Sequence, residues 1–213
     1  MASGDGKTFL YALSIFPIAV IVFLLLVVSL DSVSSLDNPF QQKLQVDPEL
    51  NKLYDEQKYS AALEEVAKLR DSAAQKGDIA KWTYYLVEEF KLKTALHSYE
   101  NGLKDFVKAG KPDHPLAKLV LKFYETESFA SYLQGYSWEI LKREKVTEKD
   151  PLDFDKFTKD EIADSIRASY LEIYRERGRI EDISLEALPD YLSPGDYPKE
   201  VLSTLRDHFA VSF

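Results

Sequence analysis

The chain has 213 residues with 45% hydrophobic, 13% aromatic and 30% charged side chains, so it has enough apolar material to fold and does not read as disordered. Its net charge of −9 opposes binding to nucleic acid, which recruits lysine and arginine clusters. It has no cysteine, which excludes disulfides, thiolate metal sites, a cysteine nucleophile and a lipidated cysteine.

Phe9–Leu30 is a run of 22 residues without a charge, bounded by Lys7 and Asp31. At about 1.5 Å per residue it spans a hydrocarbon core of about 30 Å, and a transmembrane helix tolerates Pro17 within it. A cleaved signal peptide is the alternative. Its apolar region is normally shorter, and Ser29–Ser35 offers only weak small-x-small cleavage candidates. Lys7 and the α-amino group precede the run, and Asp31 and Asp37 follow it. The positive-inside bias therefore expects residues 1–8 as a cytoplasmic tail, 9–30 as a single-pass anchor and the bulk of the chain outside the cytoplasm, periplasmic or extracellular. Residues 31–46, with Pro39, read as a linker. Residues 47–213 read as one helical domain.

Asp47-Pro48 is a helix start, aspartate at the N-cap and proline at N1, followed by Leu50, Leu53 and Tyr54. A second helix carries Tyr59, Ala62, Leu63, Val66, Leu69 and Ala73 on one face, with Gly77 just past its end. Asp78 caps a third helix bearing Ile79, Trp82, Leu86 and Phe90. Its pattern runs through Ala95 and Leu96 to an expected break or kink at Asn101-Gly102. Tyr84, Tyr85 and Tyr99 lie off this stripe and are expected to be exposed. Leu103, Phe106 and Val107 follow before Gly110.

Lys111-Pro112-Asp113-His114-Pro115 breaks the chain. Leu116, Leu119, Val120 and Phe123 open a helix expected to reach about Arg143, carrying Phe129, Tyr132, Leu133, Tyr136 and Ile140. Its face shifts near Glu125–Glu127, so it is expected to touch two neighbours. Thr158-Lys159-Asp160-Glu161 has capping-box spacing. Ile162, Ile166, Tyr170, Ile173 and Tyr174 follow, with Arg175 and Arg177 in the last turn and Gly178 beyond. Pro194-Gly195 marks a turn, and Pro198 opens a final helix with Val201, Leu205 and Phe209. No period-2 strand stands out. The fold class is all-α, built of αα-hairpins.

No constellation of catalytic or ligating residues stands out, so no catalytic, cofactor-binding or metal residue is assigned. His97, His114 and His208 lie far apart, each without a second ligand at helical spacing. Asp150, Asp153 and Asp155 imitate the start of a calcium loop, but Phe157 and Thr158 stand where that pattern needs an oxygen ligand and glycine. Glu125 and Glu127 point to different helix faces and cannot share a substrate; Glu139 lies further on. Tyr132, Tyr136, Tyr170 and Tyr174, with Ser137-Trp138, read as an aromatic core stripe. There is no phosphate loop, nucleophile elbow or H-E-x-x-H zinc motif. An enzyme is not expected, nor a cofactor or small-molecule substrate. A protein partner is.

Two resemblances add to this reading. Gln57-Lys58-Tyr59-Ser60-Ala61-Ala62-Leu63-Glu64 resembles the Gly-x-Tyr-x-x-Ala-Leu core of a tetratricopeptide repeat, although no second copy follows at a period of about 34 residues. Phe129–Ile140 with Arg143-Glu144, Leu152–Phe157, and Tyr191–Pro198 running into Thr204-Leu205-Arg206-Asp207 resemble the N-terminal region of large bacterial alpha-macroglobulin-like proteins. That resemblance implies a membrane-anchored stalk or docking module of a protease trap. The trapping body and its Cys–Gln thioester would lie elsewhere, because this sequence has neither. The apolar ending Ala210-Val211-Ser212-Phe213 reads as mid-helix, so the helical domain is expected to be truncated there. A free-standing membrane-anchored adaptor, binding protein through tetratricopeptide-like hairpins, is the alternative.

Overall fold

A computed structural model describes residues 38–40, 43–96, 99–181, 183–185, 188, 190–192 and 204–206. The expected anchor at 9–30, the tail at 1–8, Pro194-Gly195, most of the final helix and the chain end lie outside these residues. Among the described residues no helix is long and apolar enough to cross a membrane. They are all-α, with eight helices and no strand: α1 Pro48–Asp55, α2 Tyr59–Lys76, α3 Ile79–Leu96, α4 Tyr99–Lys108, α5 Pro115–Gly135, α6 Ser137–Ile140, α7 Lys159–Arg175 and α8 Arg177–Ile180. A 3-10 turn at Phe154–Lys156 precedes α7, and Ser184 and Thr204 form an isolated antiparallel bridge.

The helix ends follow local chemistry. The Asp47 carboxylate accepts the Glu49 N–H at 2.9 Å, and Asp78 accepts the Lys81 N–H at 3.1 Å. Thr158 and Glu161 form the reciprocal capping box. Gly77, at φ 67°, closes α2 in the left-handed conformation that side chains resist. Gln57 sits at φ 56° between α1 and α2. It occupies the position where the repeat core it resembles has glycine.

Three boundaries differ from the sequence expectation. α3 is described as Ile79–Leu96 and α4 as Tyr99–Lys108, and Asn101-Gly102 lies inside α4 rather than at a break. Gly102 serves close helix packing instead: a Cβ there would stand 2.7 Å from Thr94 Cγ2 and 3.1 Å from Thr94 N on α3. α5 ends at Gly135, not near Arg143, because Tyr136 leaves helical geometry at φ −110°, ψ 18°. The chain re-enters a single turn as α6. Gly178 falls inside α8 rather than stopping α7; the chain only loosens at Glu176.

α3 and α5 are buried on several sides and carry the core between them. One cluster joins α1 and α2 to α3 through Leu50, Ala62, Val66, Tyr85 and Leu92. A second joins α3, α4 and α5 to the loop before α7 through Phe90, Phe106, Phe129, Tyr132, Phe154 and Ile162. The third packs Phe40, Leu116, Val120, Ile173, Leu188 and Leu205 together. The residues from Pro39 onward form one compact unit. Phe40, within the expected linker, is 2% exposed in its core.

Candidate interaction groove

α7 carries two apolar stripes. Ile162 and Ile173 face inward and are fully buried. A second stripe, rotated around the helix, consists of Ala163, Ile166, Tyr170, Leu171 and Tyr174 at three- and four-residue spacing. With Leu133 of α5 and Arg167 it lines a groove of about 660 Å³. Leu171 is 49% exposed and Tyr174 50%. Burial raises the Tyr170 phenol well above its ordinary range, and the Glu127 carboxylate that accepts its hydrogen bond adds to that. At the rim Arg167 pairs with Asp164 at 2.5 Å, and the Arg177 guanidinium lies 4.1 Å from the Tyr174 ring centre.

Tyr132, Tyr136, Tyr170 and Tyr174 therefore do not form one core stripe. Tyr132 is fully buried, whereas Tyr174 and Trp138, the latter 64% exposed, face outward. Tyr84, Tyr85 and Tyr99 are corrected in the opposite sense. Tyr85 is 3% exposed, Tyr84 stacks edge-on to Tyr191, and Tyr99 donates to the Ser128 carbonyl at 3.0 Å. α3 is buried nearly all round, so residues off its main stripe find other neighbours. The sequence reading did not single out Leu171. Its signal was an apolar arc on α7 too wide for one buried face.

Two polar constellations lie elsewhere. Between α2, α3 and α4 a cleft of about 280 Å³ has an apolar floor that includes Leu86, Phe90 and Phe106. At its edge the Glu89 carboxylate, only 7% exposed as a residue, is gripped by Arg70 and by Lys93 at 2.9 Å. Lys93 also reaches Asp105 at 2.7 Å. At the end of α5 the Tyr132 hydroxyl donates to Glu100 at 3.0 Å and accepts from Arg143 at 2.9 Å. Arg143 also donates to the Phe154 carbonyl at 3.0 Å. Burial pushes the Tyr132 phenol up to about 12, with Arg143 opposing the shift and Glu100 adding to it.

The remaining candidates are dispersed. His114 sits at the N-cap of α5 with no side-chain capping bond, and its buried Nδ1 has no hydrogen-bond partner. His97 and His208 lie outside the described residues. Asp153 is held by Lys104 and Lys156, and Asp150 caps its own turn through the Leu152 N–H at 2.8 Å. Glu125 pairs with Lys111 and Lys122, while Glu127 serves Tyr170. Among the described residues no group of three or more metal-ligating side chains is placed to hold an ion. No family model, curated protein or solved structure matches the chain.

Proposed function

We propose that the chain is a membrane-anchored, extracytoplasmic, non-catalytic helical module that works by holding a protein partner. The observation that carries this reading is the outer stripe of α7, where Ile166, Leu171 and Tyr174 line an open apolar groove. A helix whose apolar arc exceeds its buried face suits recognition of a partner's amphipathic segment. The anchor follows from the charge-free run at 9–30, and the orientation from its flanking charges.

The finer reading places the module at the N-terminal end of an alpha-macroglobulin-like protease trap, as stalk or docking element. The brace of Tyr132, Arg143 and Phe154 supports it, because residues of the resemblance belong to one packed unit. The alternative is a free-standing adaptor with tetratricopeptide-like hairpins. Gln57 supports that one: its backbone takes the left-handed conformation that the motif's glycine would supply.

A photo-cross-linking residue at Leu171, in the full chain in its native membrane, tests the proposal. One discrete adduct is expected from Leu171 and none from the same residue at Lys145. An absent adduct, or equal labelling from both positions, refutes a groove-bound partner. Protease added to spheroplasts should digest the domain, and protection would refute the orientation.

A further inference from the structure

The outer stripe of α7 is complementary to itself. Asp160 and Asp164 stand in its N-terminal half, and Arg175 stands in its last turn. Asp164 is taken up by Arg167. Asp160 and Arg175 are exposed, and neither meets an ion-pair partner among the described residues. Successive residues turn about 100° around a helix, so Asp160 and Arg175 lie about 60° apart on one flank, with Leu171 between them. The helix dipole accounts for acids in the first turn and bases in the last. It does not account for their sharing the flank that carries the half-exposed Leu171.

We infer that the partner in the groove is a second copy of this chain, its α7 lying antiparallel on the first across a two-fold axis at the middle of the stripe. The dimer rests on the groove-bound protein partner proposed above and gives that partner its identity. Turning α7 end for end places the Arg175 flank of each copy against the Asp160 flank of the other, and the contact occurs twice. A parallel pair would set Asp160 against Asp160 and Arg175 against Arg175, so charge selects the direction. Size agrees with charge. With the axis between Ala168 and Ser169, Ala163 comes opposite the second copy's Tyr174, small against large. Ile166 comes opposite its Leu171, and Arg175 falls between its Asp160 and Asp164. Leu171 and Tyr174, half exposed in the single chain, then lie against apolar atoms in place of water.

Thiol cross-linking of the full chain in its native membrane tests the pairing, because the chain has no cysteine of its own. Two copies with tags of different size are co-expressed, one carrying Ile166→Cys and the other Leu171→Cys, and treated with a short bismaleimide. A product joining the two tags is expected, and none from Lys145→Cys with Leu171→Cys. In this background Asp160→Arg in both copies, or Arg175→Asp in both, should lower the yield about ten-fold. The two changes together in each copy should restore it, since opposite charges again face each other, and a misfolded chain would not be rescued. Absence of the Ile166→Cys with Leu171→Cys product, or equal yields from the single and double charge variants, overturns the dimer. The photo-cross-link from Leu171 separates the two readings. An adduct of twice the chain mass supports the dimer. A discrete adduct of another mass keeps a groove-bound partner and overturns the second copy, and no adduct refutes both.

Discussion

Replacing Gly102 with alanine sets two effects of known size against each other. In an open helix interior the change gains about 0.8–1 kcal/mol from helix propensity. Here the new Cβ would meet Thr94 Cγ2 at 2.7 Å and the Thr94 backbone nitrogen at 3.1 Å. The methyl group can shift with the threonine side chain, but the backbone nitrogen moves only with α3. Overpacking of that kind costs about 1–3 kcal/mol, so Gly102→Ala should destabilise by about 1 kcal/mol net and lower Tm by about 2–4 °C. Gly135→Ala is the control, because a Cβ there meets nothing within 4 Å. It should be neutral or slightly stabilising. Thr94→Ala should recover only part of the loss, since it deletes the closer contact and leaves the nitrogen. Thermal and urea unfolding followed by far-ultraviolet circular dichroism measure all three variants against the parent chain. Gly102→Ala as stable as Gly135→Ala would refute the close packing of α3 on α4.

Four further outcomes follow from the same contacts. Hydrogen bonds from Lys149 and from the Thr158 N–H hold Glu161 down at about 2 against an ordinary 4.5, with burial opposing. The stability this lends is present above pH 4.5, is lost as pH falls towards 2, and should disappear from the acid limb of the urea midpoint in Glu161→Gln. Glu89→Ala should cost about 2–3 kcal/mol, because it strands Arg70 and Lys93 in a partly desolvated cleft; Glu139→Ala, at an exposed partner of Arg143, should cost less than about 0.5 kcal/mol. Ile162→Ala should cost about 2–5 kcal/mol by leaving a cavity, and Ile166→Ala about half of that or less because the groove already opens beside it, both read from urea midpoints. Gln57→Gly should stabilise by about 0.5–1 kcal/mol by relieving its left-handed backbone, and a loss of stability on thermal unfolding would refute that source of strain.

What could be read from the sequence was whatever a few neighbouring residues decide. The caps at Asp47, Gly77, Asp78 and Thr158 are local hydrogen-bonding or dihedral events, and they stand where the sequence expects them. Gly102 was misread because its role depends on Thr94, which sits on another helix. Asn-Gly signals a turn only if nothing in the fold needs a bare Cα. The end of α5 was overlooked for a related reason. Tyr136 and Ile140 continue the apolar pattern, and periodicity does not register the backbone turn at Tyr136 that separates them. The all-α class survives these errors, since each only moves a boundary between helices.

The groove was half legible, and the missing half is a matter of coverage. Periodicity marks Ile162, Ile166, Tyr170, Ile173 and Tyr174 as apolar positions on α7, but it cannot say which of them another element covers. α5 covers one side of α7, so Ile162 and Ile173 are buried. The stripe through Ile166 and Leu171 is left open beside Leu133. Ile173 and Tyr174 are adjacent, yet one belongs to the core shared with Phe40 and Tyr191 and the other to the groove. A helix turns about 100° per residue, so a single rigid element can serve both surfaces. A protein segment lying in the groove would therefore press on a helix that also backs the core around Phe40 and Tyr191.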